Sequence, residues 1–174
     1  ERDSLPVMTT LGVTTLISDS GVTRYRVNTE EWMMYDRKKP SYWAFEKGVY
    51  MEQFDSIFNV EASIKADTAY YYDKERLWKL IGNVDIQNRK GERFNTELLY
   101  WNEATQKVYS DKFIRIQQPD RIITGHGFDS NQQMTIYTIR NIEGIFYVDE
   151  EASSGPPQPE TKALPDSVNK DAAK

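Results

Sequence analysis

The residue types that could do chemistry in this chain are few. There is one histidine, His126, between Gly125 and Gly127. A lone histidine in a glycine-rich turn is far more often a solvated side chain than a catalyst. A Ser-His-Asp triad would have to use it, and no serine sits in a G-x-S-x-G context. His126 is therefore expected to be dispensable for function. Asp67, Asp73, Glu75, Asp85 and Glu97 are carboxylates that could pair as in a glycosidase. In strand alternation they more simply mark a solvent face. Asp67 to Glu75 lacks the ligand spacing of a calcium loop. Gly125-His126-Gly127 does not continue as G-x-G-x-x-G, so it is no dinucleotide fingerprint. Asn83 and Asn102 read as turn or ladder residues. Cysteine is absent, which excludes disulfides, Cys-based zinc sites and a cysteine nucleophile. No catalytic residue, metal ligand or cofactor is expected, and no enzyme.

The elements that carry these residues are strands, and they repeat. Ala66-Asp67-Thr68-Ala69-Tyr70-Tyr71-Tyr72-Asp73 runs into Gly82-Asn83-Val84-Asp85-Ile86-Gln87. Thirty residues on, Thr96-Glu97-Leu98-Leu99-Tyr100-Trp101-Asn102-Glu103 runs into Phe113-Ile114-Arg115-Ile116-Gln117. Tyr70 falls over Tyr100, Tyr71 over Trp101, Val84 over Ile114 and Ile86 over Ile116. A looser copy lies upstream (Glu30, Trp32, Tyr35-Asp36, Gly48-Val49), and a truncated one downstream around Phe128-Asp129 and Met134-Thr135-Ile136. Repeats of this length are stacked supersecondary units, each too small to bury its apolar face alone.

Alternation with period two dominates from Val13 onward. Strands are predicted over Val22–Val27, Phe58–Asp67, Trp78–Ile86, Phe94–Tyr100, Tyr109–Ile116, Ile122–Thr124 and Met134–Ile139, with Asn141–Ile145 beside the last. Turn signals separate them every 8–12 residues, and no useful 3.6-residue periodicity appears. Aromatics make up 13% of the chain, with 11 Tyr and 4 Trp, which suits β structure. Residues 1–12 form a lead-in without clear periodicity, and the β domain spans 13–149. Residues 150–174 hold four of the seven prolines and no aromatic. They read as a disordered tail, dispensable for folding.

The net charge of -5 leaves no electrostatic footprint for nucleic acid, and no basic run suits an anionic membrane. No apolar stretch approaches the ~18 residues of a membrane-spanning helix. The chain begins at Glu1 rather than Met, so the absence of a signal or anchor from it is no evidence against one.

The order Ala66-Asp67, Ala69, Tyr71-Tyr72-Asp73, then Gly82-Asn83-Val84-Asp85-Ile86, then Gly91 resembles the OstA-like module of lipopolysaccharide transport. The lead-in Gly12-Val13 and Ser18-Asp19-Ser20-Gly21, with Gly125-x-Gly127-Phe128 downstream, is similar to the LptC family in particular. The resemblance covers roughly residues 9–148. The long tail and the Tyr-rich first strand pair depart from proteobacterial members of that family.

The resemblance implies an open, twisted, antiparallel jelly-roll-like stack of two facing sheets. It implies a periplasmic protein tethered to the inner membrane, which takes lipopolysaccharide by its lipid A acyl chains from an ABC transporter and passes it to an LptA bridge. From the residues alone, the apolar positions fit a closed core or a lipid groove equally; the resemblance favours the groove. Val60, Ala62, Ile64, Leu80, Val84, Ile86, Phe94, Leu98, Ile114, Ile116, Met134 and Ile136 are expected to line it. Partner strands are expected at the two edges of the stack. Val22, Arg24 and Arg26 would form the N-terminal edge, facing the transporter. Thr135, Tyr137 and Ile139 would form the C-terminal edge, facing the LptA-like protein. The competing reading is a glycan-binding or glycan-processing β-sandwich with a stacking platform of Tyr70, Tyr71, Tyr72, Trp78 and Trp101.

Overall fold

A computed structural model describes residues 4–148. The predicted disordered tail lies outside the described residues. Eleven strands run β1 Met8–Asp19, β2 Val22–Tyr35, β3 Tyr42–Phe45, β4 Val49–Phe54, β5 Val60–Ala66, β6 Thr68–Tyr72, β7 Leu77–Asn88, β8 Arg93–Asn102, β9 Lys107–Gln117, β10 Arg121–Asn131 and β11 Tyr137–Tyr147. Every pairing is antiparallel. The fold is the all-β, jelly-roll-like arrangement expected.

Two long strands make the two layers. One half of β2, Tyr25–Thr29, pairs with β4, and its other half, Met33–Tyr35, pairs with β3. In the same way, Leu77–Ile81 of β7 pairs with β6 and Asp85–Asn88 with β5. Between β2 and β7 the sheet therefore divides, β4 and β5 filling one layer and β3 and β6 the other. Strands β8 to β11 continue past β7 as long hairpins that cross both layers. Aromatic contacts across the gap show the layers facing: Tyr25 meets Trp101 edge-on at 4.9 Å, and Phe94 meets Phe128 at 5.7 Å.

The repeat has a mechanical meaning. Asp67 sits at the break between β5 and β6, where the chain changes layer. Its backbone N–H donates to the Gly82 carbonyl at 2.9 Å, and its carboxylate accepts from Asn83 Nδ2 at 2.7 Å. Gly82 and Asn83 form the bulge at which β7 bends, both with positive φ (80° and 45°). A Cβ on Gly82 would lie 2.9 Å from the Asp67 carboxylate, so only glycine fits there. The Ala-Asp and Gly-Asn halves of the motif are thus the two sides of one corner clamp. The next unit bends at the equivalent place, where Thr96 Oγ1 donates to the Phe113 carbonyl and Ser110 Oγ to the Leu98 carbonyl. The hairpin turns repeat too: Arg76 (φ 52°) and Gln106 (φ 56°) occupy the same left-handed position thirty residues apart.

Several boundaries differ from the sequence reading. An ordered strand, β1, begins at Met8, ahead of the expected domain start. As an edge strand it is exposed over its first five residues, so its start carries no alternation to read, and only Val13, Thr15 and Ile17 are half-buried. Val22–Val27 is therefore not the free N-terminal edge. Val22 pairs with Asp19 of β1, and Arg26 sits between Leu16 of β1 and Glu52 of β4. Arg24 lies in the same enclosed strand. At the other end β11 begins at Tyr137, so Tyr137 and Ile139 stand in it, whereas Thr135 lies in the preceding turn. Phe58 is outside β5, stacked on Phe54 at 4.3 Å across a turn closed by Asp55. His126 is not in a terminal turn. The two glycines beside it belong to a bulged stretch in the middle of β10.

Candidate functional site

The interior between the layers is the largest assembly of predicted site residues. Ala62, Ile64, Leu80, Val84, Ile86, Phe94, Ile114, Ile116 and Met134 all lie in one buried cluster or its wall. Six of them, Leu80, Val84, Ile86, Phe94, Ile114 and Ile116, have no exposed surface. Three predicted members stand elsewhere. Val60 begins β5, past the bulge at Gln53/Phe54, and is largely exposed. Ile136 lies in the turn before β11 and is 77% exposed. Leu98 points away from the core because the irregularity between Thr96 and Tyr100 reverses the alternation, bringing Leu99 inward.

The predicted lining left out part of the interior, to which Val27, Phe45, Met51, Trp78, Leu99, Trp101, Val108 and Phe128 contribute the larger side chains, with Val49, Ala66 and Ala69. Trp78 stacks on Phe45 at 5.5 Å and meets Tyr71 at 4.7 Å, while its Nε1 donates to Glu103 at 3.0 Å. Trp78 and Trp101 are 1% and 3% exposed, so the stacking platform of the glycan reading does not exist as such. The interior is filled by side chains. Two apolar voids between the layers measure about 10 Å³ each, roughly the space of one water.

One rim of the interior is held by polar contacts between turns of the two layers. Asn88 Nδ2 donates to the Met134 carbonyl at 2.8 Å and to Glu92 Oε1 at 3.0 Å. Tyr137 donates to Glu92 Oε2 at 2.5 Å and accepts from Gln118 Nε2 at 2.5 Å. The buried Met134 sits under this clasp as a plug.

Both ends of the sheet are long and bare. Among the described residues, β1 pairs only with β2, and β11 only with β10. Leu11 and Leu16 on β1, and Ile142, Phe146 and Tyr147 on β11, are exposed apolar side chains. Unpaired ladder groups beside such side chains are templates for strand addition.

A model of the family described as "Lipopolysaccharide-assembly, LptC-related" matches residues 12–146. The chain belongs to the LptC family. The match runs from within β1 to within β11, so it takes in nearly the whole sheet. Membership gives this LptC-family domain a general role in lipopolysaccharide transport. No curated protein matches the chain. No helix among the described residues is long and apolar enough to cross a membrane.

Of the residues singled out for chemistry, Asp67, Asp85, Glu97 and His126 line one cleft on the outside of the LptC-family domain, whereas Asp73 and Glu75 stand apart from it. His126 Nδ1 lies 2.6 Å from Glu143 Oε1, both exposed. Asp85 pairs with Arg93, and Asp73 accepts from Ser41 Oγ at 2.7 Å. No group of three or more metal-capable side chains occurs among the described residues.

Four tyrosines are displaced far from their ordinary range. Burial first, then Glu103, pushes Tyr25 and Tyr71 up to about 12. Burial and Glu46 do the same to Tyr70, and burial and Glu92 to Tyr137. A raised phenol pKa means the folded state holds its proton when the unfolded state has lost it. The stability these phenols contribute is thus complete below about pH 10 and is lost as pH rises toward 12. We expect tyrosinate absorbance and far-UV circular dichroism to change together in that window. Tyr137→Phe should make the alkaline loss shallower, by removing one of the four phenols.

Proposed function

We propose that this domain receives the acyl chains of lipopolysaccharide between its two layers and passes them on across β11. In this reading β1 faces the inner-membrane ABC transporter and β11 faces an LptA-like bridge protein. The domain works on the periplasmic side of the inner membrane, held there by a segment beyond the sequence given. The observation that carries the reading is the pair of bare, apolar-studded strands at opposite ends of one sheet, with a single apolar interior between them. Strand addition at both ends would extend that interior from protein to protein, so lipid need not meet water. Burying each CH₂ is worth ~0.8 kcal/mol, so acyl chains bind without polar recognition. Because the interior is filled, chains enter by parting the layers. The clasp of Asn88, Glu92, Gln118 and Tyr137 is the polar seam that has to open.

Ile142→Lys with Phe146→Lys places two cations on the exposed face of β11, outside the buried cluster. The double variant should keep its thermal midpoint and weaken capture of an LptA-like partner at least tenfold, about 1.4 kcal/mol. Transporter binding should be unaffected, and Leu11→Lys with Leu16→Lys on β1 should give the reverse pattern. Unchanged capture by the folded β11 variant would refute the assignment of that edge.

A further inference from the structure

We infer that the cleft along the outer side of the strand bends is a binding site for a short oligosaccharide of little net charge. The cleft measures about 960 Å³ and crosses β5, β7, β8, β9 and β10. It lies outside the apolar interior and goes beyond the lipid-carrying role. Its floor is made by Val84 and Thr96, both buried, where the strands bend. The bends also build its wall. At the bulge of β9, Asp111, Lys112 and Phe113 all turn outward before Ile114 returns to the core.

The lining has the mixture that a sugar needs. Phe113 is 45% exposed, and the ring of His126 meets it edge-on at 5.6 Å, itself held by Glu143. That supplies an apolar face for the C–H side of a pyranose ring. Beside it runs a cross-strand row in direct register: Lys65 opposite Asp85, Asp85 opposite Asn95, Asn95 opposite Arg115. The row alternates donors with acceptors, as a chain of hydroxyls requires.

Charge decides against other ligands. Asp85 is committed to Arg93, and Asp111 to Arg140. Among the described residues, the carboxylates of Asp67 and Glu97 accept only from Asn83, at 2.7 and 3.4 Å, which leaves each with acceptor capacity. Lys65, Lys112 and Arg115 form no ion pair among the described residues. Three uncommitted cations against two available carboxylates is close to balance. A polyanion would meet the acids, and a cation the bases. A polyol can donate to one set and accept from the other, and this is the usual make-up of a pocket with a few convergent polar groups on an apolar floor.

The sugar has two sources, the saccharide part of a glycolipid or a cell-wall glycan. The test is amide-resolved NMR titration of the folded domain with two probes. One is the dephosphorylated, lipid-free core oligosaccharide of lipopolysaccharide; the other is the N-acetylglucosamine tetramer. At least one should shift the amides of Asn95, Phe113 and His126 at millimolar concentration or below. Phe113→Ala should weaken that binding at least tenfold. Glu97→Ala, at an exposed position, should weaken it several-fold and provides the decisive variant if Phe113→Ala lowers the thermal midpoint. Binding of the core probe alone identifies the glycolipid's own sugar, and of the tetramer alone the wall. No shift at these amides with either probe, or wild-type affinity in Glu97→Ala, would overturn the inference.

Discussion

A glutamate in place of Ile116 is expected to leave no folded domain. Ile116 is fully buried on β9, opposite Phe94 of β8 and Ile123 of β10. No lysine or arginine is buried among the described residues, so the new carboxylate has no partner inside. An unpaired buried charge costs several kcal/mol even after relaxation. The whole net stability of a domain is only about 5–15 kcal/mol. Thermal circular dichroism should therefore show no cooperative transition for Ile116→Glu. Ile136→Glu supplies the contrast. Its side chain is 77% exposed, so the same change should cost within about 0.5 kcal/mol of nothing. A wild-type midpoint for Ile116→Glu would show that the interior is assigned to the wrong face.

Trp78→Ala should be the most damaging truncation. Trp78 joins the layer-forming strand β7 to three rings, Phe45, Tyr71 and Trp101, the last at 6.3 Å. Removing a buried tryptophan costs about 3–5 kcal/mol, from lost transfer energy and the cavity left behind. It also strips Glu103 of the indole donor, leaving the carboxylate with Tyr71 at 3.2 Å and Arg76 at 3.7 Å. At about 2–4 °C per kcal/mol for a chain of this length, the midpoint should drop by roughly 10 °C. Trp78→Phe keeps most of the packing and should lose less than half as much. A drop of under about 3 °C for the alanine variant would mean that the cavity collapses around it, and that the ring stack contributes little.

What the sequence made legible was whatever repeats or alternates. The 30-residue echo is real structure, since both copies place the same left-handed turn residue, Arg76 and Gln106, and bend at the same point. Positions on straight stretches of strand, such as Ile64, Ile86 and Ile116, were readable because a strand shows its faces with period two. Positions near bulges were not. One extra residue flips the alternation, so Leu98 and Leu99 exchange roles although nothing in their chemistry separates them. Edges were unreadable for a related reason. β1 is exposed over its first five residues and only half-buries Val13, Thr15 and Ile17, so its start obeys no pattern, and the enclosed strand β2 looked like the first one. The polar clasp was invisible because the Asn88–Glu92 turn, Gln118 and Tyr137 are far apart in the chain and meet only through the packing of facing layers. The family match carries the role in lipopolysaccharide transport; the route the lipid takes rests on the geometry of the interior and the two edges.

The route can be tested at one residue. A photo-reactive benzoyl-phenylalanine at Phe94 preserves an aromatic ring in the centre of the interior, and Ile57, 77% exposed, is the control position. In cells making lipopolysaccharide, irradiation should give a lipopolysaccharide adduct from position 94 and none from position 57. A variant at 94 that folds and supports export yet yields no adduct would contradict passage of lipid between the layers.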